Sequence, residues 1–190
     1  KPRIGDDPHI QIWLEAVERL VEHFGDEICI RGNCDQAPFS LASMMRSPRE
    51  WMMDLIDPAN EEKIFELLEY CAEATTQCLR LMAATGAHVL SNGDSPAGPE
   101  MISPKMFRQF ALPYEKRIVA EARRLGRPYL LHICGDTTPI IDDIIESGAD
   151  AIELDFKTDV IQAHEAVKDR ICFVGNIDPS GVLALGTVEE

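Results

Sequence analysis

The stretch Tyr129-Leu130-Leu131-His132-Ile133-Cys134-Gly135 decides the reading of this chain. It is an apolar run of strand length that ends in a His-x-Cys pair and breaks on glycine. Side chains alternate along a strand, so His132 and Cys134 share one face while Leu131 and Ile133 share the other. Two soft ligands therefore leave the same edge. Imidazole with thiolate suits zinc better than magnesium or calcium, and a catalytic zinc takes about three protein ligands and one open position. The pair supplies two of them. In a chain with five His and six Cys, such a pair arises by chance roughly one time in six, so its surroundings have to carry the argument.

Upstream, Ile10, Trp13, Leu14, Val17, Leu20, Val21 and Phe24 recur at helical spacing from Pro8 until Gly25 closes the run. A strand is expected over 27–31, with an exit loop over 32–40 that carries Cys34, Asp35 and Gln36. A short helix follows from Ser47-Pro48 to Ile56. A long one runs from Asn60 to Gly86, with Cys71 and Cys78 read as core among Ile64, Leu67, Leu68 and Leu81. The next strand, 87–91, opens into Asn92-Gly93-Asp94-Ser95-Pro96-Ala97-Gly98-Pro99, too rich in Gly and Pro to continue it and long enough to be functional. Ser103-Pro104 starts a helix that Pro113 should kink before Gly126 ends it. Beyond the His-x-Cys strand, a helix from Thr138-Pro139 to Gly148, a strand at 151–154, a helix over 159–168 and a last strand at 171–175 complete the pattern.

Strand and helix thus alternate five times, the signature of a parallel sheet covered by helices. A doubly wound sheet and a (β/α)8 barrel both do this. No G-x-G-x-x-G or phosphate-loop pattern follows any strand, which removes the main sign of a nucleotide-binding sheet. The polar groups gather behind the strands, where barrel sites lie. A barrel typically needs about 250 residues, and this chain has 190. The expectation is α/β: one incomplete TIM-barrel domain over 1–190.

A net charge of −15 argues against nucleic acid and an anionic membrane surface as partners. No apolar run approaches the roughly 20 residues that cross a bilayer. The cysteines form no C-x-x-C and no compact framework, so they read as reduced thiols in a cytoplasm.

Around the pair, Gly135 leads into Asp136-Thr137-Thr138-Pro139, then Gly148-Ala149-Asp150-Ala151, then Val174-Gly175-Asn176-Ile177-Asp178-Pro179. Upstream stand Ala37-Pro38-Phe39-Ser40-Leu41-Ala42, and Ile102-Ser103-Pro104 with Phe107 and Pro113-Tyr114. In this order the motifs resemble the uroporphyrinogen decarboxylase superfamily over about residues 28–190. The nearest likeness is to its zinc-dependent cobamide methyltransferase branch, with H-x-C-G at a strand end, a G-A-D-A strand start and a G-N-I-D-P turn. The resemblance implies that the fragment holds strands three to seven, with two strands before Glu27 and a last one past Glu190. It implies zinc on His132 and Cys134, with a third cysteine on that last strand. The reaction implied moves a methyl group from a methylcobamide, carried by a corrinoid protein, to a thiol. Coenzyme M is the acceptor in the best-known relatives, and tetrahydrofolate is involved in others.

Among the remaining candidates, Cys172 sits about 13 Å below its strand's carboxyl end and reads as core, and Cys34 in a top loop is the better internal rival for the third ligand. Asp94 is expected to face the barrel axis on the side of His132 as a catalytic group, or else to be a turn aspartate bonding its own backbone. Asn176 and Asp178 either line the substrate pocket or shape the turn before Pro179. Gly135 should leave room above the pair for an ion and a substrate. His9, His23, His88 and His164 read as structural or solvated. Two other functions stay open: a metal-free decarboxylase, which would want basic residues at the mouth where loop 91–99 has none, and a barrel that binds a ligand or a corrinoid protein without turnover. The open strand edges predict self-association of the fragment.

Overall fold

The structure, a computed structural model, describes residues 1–188. Its centre is a sheet of five strands that pair in sequence order, β1 (Arg31–Gln36), β2 (Val89–Gly93), β3 (Tyr129–Ile133), β4 (Ala151–Leu154) and β5 (Cys172–Val174). Every neighbouring pair is parallel. A doubly wound sheet reverses its strand order at a switch point. Here the order runs on without reversal, as around a barrel wall, so the chain forms five β/α units of a (β/α)8 barrel.

Register decides which side chains meet the helices. Paired residues of parallel strands share a face, so Leu90, Asn92, Leu131 and Ile152 point one way while Ser91, Gly93, Leu130, His132 and Glu153 point the other. The first set, with Tyr129 and Ile133, is completely buried beneath the helices. The second set lines the barrel axis.

The helices follow from capping and apolar period. Asp7 accepts the His9 and Ile10 N–H groups to start α1 (Pro8–Phe24), which buries Leu14 and Val17. α2 (Pro38–Arg46) and α3 (Pro48–Ile56) seat Phe39 against Trp51, ring centroids 5.3 Å apart, edge to face. α4 (Glu61–Ala84) buries Leu68, Cys71, Cys78, Leu79 and Met82, so both cysteines are core, as their spacing predicts. Ser103 caps α5 (Pro104–Met106), which passes through one widened turn (Phe107–Ala111) into α6 (Leu112–Arg124). Pro113 has no N–H to give to the preceding turn, and the regular helical ladder is interrupted by the widened turn just before it. α7 (Ile141–Ser147) ends on Gly148 at φ +84°, and α8 (Val160–Val167) starts from Asp159.

Two strands start later than their apolar residues suggest. β1 begins at Arg31, because Ile30 and His88 close the entrance themselves: the Ile30 N–H donates to His88 Nδ1 at 2.8 Å, and the His88 N–H to the Ile30 carbonyl at 2.9 Å. The polar run after it is a strand and not a loop, held by the Asn92 side chain donating to the Cys34 carbonyl at 2.8 Å. Cys34 is therefore buried on the helix side and not in a top loop. Cys172 departs from expectation in the other direction. It is exposed on the axis side, in register with Ala151, where the described residues provide no covering layer.

Candidate functional site

β3 delivers His132 and Cys134 to the same face, as alternation requires, and brings His132 Nε2 to 3.2 Å from Cys134 Sγ. The other ring nitrogen, Nδ1, lies 3.1 Å from the backbone carbonyl of Glu153 in β4. A carbonyl only accepts, so Nδ1 carries the proton and Nε2 turns its lone pair toward the sulfur. Ligating histidines are held in this way by a second partner. The donor atoms of a tetrahedral zinc, with nitrogen at about 2.0–2.1 Å and sulfur at about 2.3 Å, stand about 3.5 Å apart. The pair thus fits half of such a site. Among the described residues no group of three or more His, Cys, Asp or Glu is arranged to hold one ion.

Beneath the pair the axis side carries a polar floor that sequence reasoning missed. Arg31 reaches from β1 to Glu153, Nη1 to Oε2 at 2.8 Å, and its Nε donates to Ser91 Oγ at 2.7 Å. The same Glu153 oxygen lies 3.9 Å from His132 Nδ1. A signal was present: a glutamate between Ile152 and Leu154 in an apolar strand must turn to the opposite face from both.

Above the pair, Gly135 adopts φ +86°, and a Cβ there would stand 2.8 Å from Glu100 Cδ. Glu100 crosses over this glycine and is held by Lys157, Nζ to Oε1 at 2.9 Å. That ion pair raises the Lys157 pKa, the hydrogen bond it donates to Glu100 being the main cause. The expected free space above Gly135 is therefore filled by a side chain. On the flank, Ser95 Oγ lies 2.9 Å from Cys134 Sγ and accepts the Cys134 N–H at 3.4 Å.

The other expected site residues lie elsewhere. Asp94 shares the parity of Leu90 and Asn92, not that of His132, and is completely buried on the helix side. It is also no solvated turn aspartate. Its Oδ1 accepts the Ser40 N–H at 2.7 Å at the start of α2, and it adjoins Glu115 of α6, likewise fully buried. Asn176 donates to the carbonyls of Asp155 and Thr158, at 3.2 and 2.9 Å, and so shapes the exit of β4. Asp178 accepts the N–H groups of Ser180 and Gly181, both at 2.9 Å, and caps the turn 179–184. Cys34 pairs with Cys78; that hydrogen bond, then burial, raises its pKa well above the usual thiol range and keeps it a poor metal ligand. No helix among the described residues is long and apolar enough to cross a membrane.

The sequence model of the family described as "Uroporphyrinogen decarboxylase (URO-D)" matches residues 1–190. A methylcobamide:CoM methyltransferase (MtbA) of Methanosarcina mazei is 34% identical over 185 residues, 97% of this chain and 53% of the relative. A uroporphyrinogen decarboxylase of Trichodesmium erythraeum is 34% identical over 124 residues, 64% of this chain and 34% of the relative. Among solved structures, a methyltransferase from Methanosarcina mazei superposes with a TM-score of 0.84 at 26% identity, covering 94% of this chain and 52% of that one. The chain spans about half the length of the methyltransferases it matches.

Proposed function

The chain belongs to the uroporphyrinogen decarboxylase family, and from that premise we propose that it is one incomplete barrel domain of a corrinoid-dependent methyltransferase. The reaction moves a methyl group between a methylcobamide, presented by a corrinoid protein, and an acceptor such as the thiol of coenzyme M or tetrahydrofolate. A single observation carries this reading. His132 Nε2 and Cys134 Sγ converge to 3.2 Å while Nδ1 is committed to the Glu153 carbonyl.

In this reading His132 and Cys134 hold zinc, with a third ligand beyond Glu190. When bound, the metal supplies the Lewis acidity that keeps a coordinated thiol deprotonated at neutral pH. The chain's own residues do the rest. The Glu153 carbonyl fixes the imidazole tautomer, and Arg31 with Ser91 fixes Glu153 beneath it. Glu100, held by Lys157, covers Gly135 above the pair. A methylcobamide presented at this site would give up its methyl group to the acceptor, the new bond to carbon forming as the donor's own bond to that carbon breaks. Asn176 and Asp178 act through the shape of the neighbouring loops, and Asp94 as the buried anchor of the loop that bears Ser95.

The test is metal content with turnover. Full-length protein should contain about one zinc per chain, and His132→Ala or Cys134→Ser should lower both metal content and methyl transfer to a thiol by a factor of about 100 or more without loss of the fold. Protein free of zinc by elemental analysis, or a Cys134→Ser variant with unchanged turnover, would sink the proposal. The resemblance to a relative named uroporphyrinogen decarboxylase favours one second reading, metal-free decarboxylation of a polycarboxylate. Arg31 is the basic residue that the strands place on the axis side, and Glu153 already engages it, so a substrate carboxylate would have to displace Glu153. Decarboxylation that survives Cys134→Ser would put this reading first.

A further inference from the structure

The loop after β2 is fastened to the end of β3 at several points. The Asp94 N–H donates to the His132 carbonyl at 2.8 Å. Gly98 lies so close that a Cβ there would stand 2.9 Å from the Cys134 carbonyl and 3.1 Å from Ile133 Cγ2. Below, the Asp94 carboxylate is anchored on the Ser40 N–H at 2.7 Å. Between these points the loop presents one hydroxyl, Ser95 Oγ, to Cys134.

The direction of that hydroxyl follows from its partners. Ser95 Oγ accepts the Cys134 N–H at 3.4 Å, so a lone pair points there and its single proton is left for Sγ at 2.9 Å. His132 Nε2, 3.2 Å from the same sulfur, has no proton to give while Nδ1–H is bonded to Glu153. The sulfur therefore has a hydroxyl donor on one flank and a lone-pair donor atom on the other, and a metal belongs on the second side.

We propose that Ser95 is a positioning residue of the metal site: its hydroxyl donates to Cys134 Sγ, fixes the thiolate in the orientation that converges with His132 Nε2, and carries part of its charge. The proposal rests on the reading of His132 and Cys134 as metal ligands. Groups that hold a ligand in this way set metal affinity nearly as strongly as the ligands themselves.

The experiment is a Co(II) titration of the full-length protein and of its Ser95→Ala and Ser95→Thr variants. It is followed by the thiolate-to-cobalt charge-transfer absorption and by competition against zinc, with thermal melting as the check on folding. Ser95→Ala should bind Co(II) roughly 10- to 100-fold more weakly, with a shifted charge-transfer band because the sulfur has lost its hydrogen bond. Ser95→Thr keeps the hydroxyl and should restore both affinity and band position, which a purely structural role of the loop would not produce. Wild-type affinity and an unshifted band in Ser95→Ala would overturn the proposal while leaving the metal site standing. Wild-type protein that binds neither Co(II) nor zinc would overturn both.

Discussion

Asp94 and Glu115 are both completely buried, and three of their four carboxyl oxygens, Asp94 Oδ2 and both of Glu115, lack a geometrically sound partner. Burial first, then the neighbouring Asp94, pushes the Glu115 pKa well above the ordinary carboxyl range; burial raises Asp94 as well, against the hydrogen bond from the Ser40 N–H. Two carboxylates cannot both stay ionised in such a place, so the folded pair keeps a proton that the unfolded chain releases near pH 4. The sign follows from linkage. A carboxyl whose pKa is raised on folding stabilises the fold fully below its unfolded pKa, and the contribution is lost as pH rises through the folded value. Glu115→Gln supplies the donor without a titrating proton. It should flatten the decline of stability with pH that sets in above the unfolded carboxyl range of about pH 4, read from urea unfolding at a series of pH values. A variant with the wild-type slope would show that the pair does not hold this proton. The orientation of Asp94 was legible in principle, since Leu90, Asn92 and Asp94 share parity. Two strand residues hidden in a Gly- and Asn-rich text concealed it, whereas an unbroken apolar run made His132 and Cys134 readable.

At the scale of elements, β3 and β4 were legible because their apolar residues pair with the helices without interruption, and the helices because Pro, Ser and Gly punctuate them. β1 was not. Its strand runs through Asn33-Cys34-Asp35-Gln36, which has no strand propensity, and pairs through partners distant in sequence: Asn92 on the Cys34 carbonyl, and the Gln36 carbonyl under Thr75 Oγ1 at 3.2 Å. What lets β1 approach α4 is Gly32. A Cβ there would stand 2.6 Å from Met82 Cγ and 2.8 Å from Ala87 Cβ, and Ala87 is itself completely buried. Gly32→Ala should therefore cost about 1–3 kcal/mol by overpacking, seen as a lower urea midpoint with an unchanged slope. A loss below about 0.5 kcal/mol, the usual range of surface changes, would mean that Met82 swings clear and that the glycine does not set the β1–α4 distance.

At the scale of the whole molecule, the described residues form an arc whose outer strands, β1 and β5, each lack a neighbour on one side. The two edges are unequal. β1 is short of apolar exposure and carries Arg31, Asn33 and Asp35, which discourage pairing. Beside β5, Val174, Ile177, Leu183 and Leu185 expose 51, 62, 70 and 83% of their surface, next to a three-residue strand with free backbone groups. An apolar patch beside an unpaired edge invites association even in a chain of net charge −15, because strand pairing is short-ranged and salt screens the repulsion over about 10 Å at 0.1 M. The 190-residue chain should therefore self-associate through β5 at moderate salt, with light scattering reporting a mass above that of the monomer. Val174→Lys places a charge on that edge and should shift the distribution toward monomer, whereas Asn33→Lys on the β1 edge should leave it unchanged. A monomer throughout, or equal effects of the two substitutions, would remove β5 as the sticking edge.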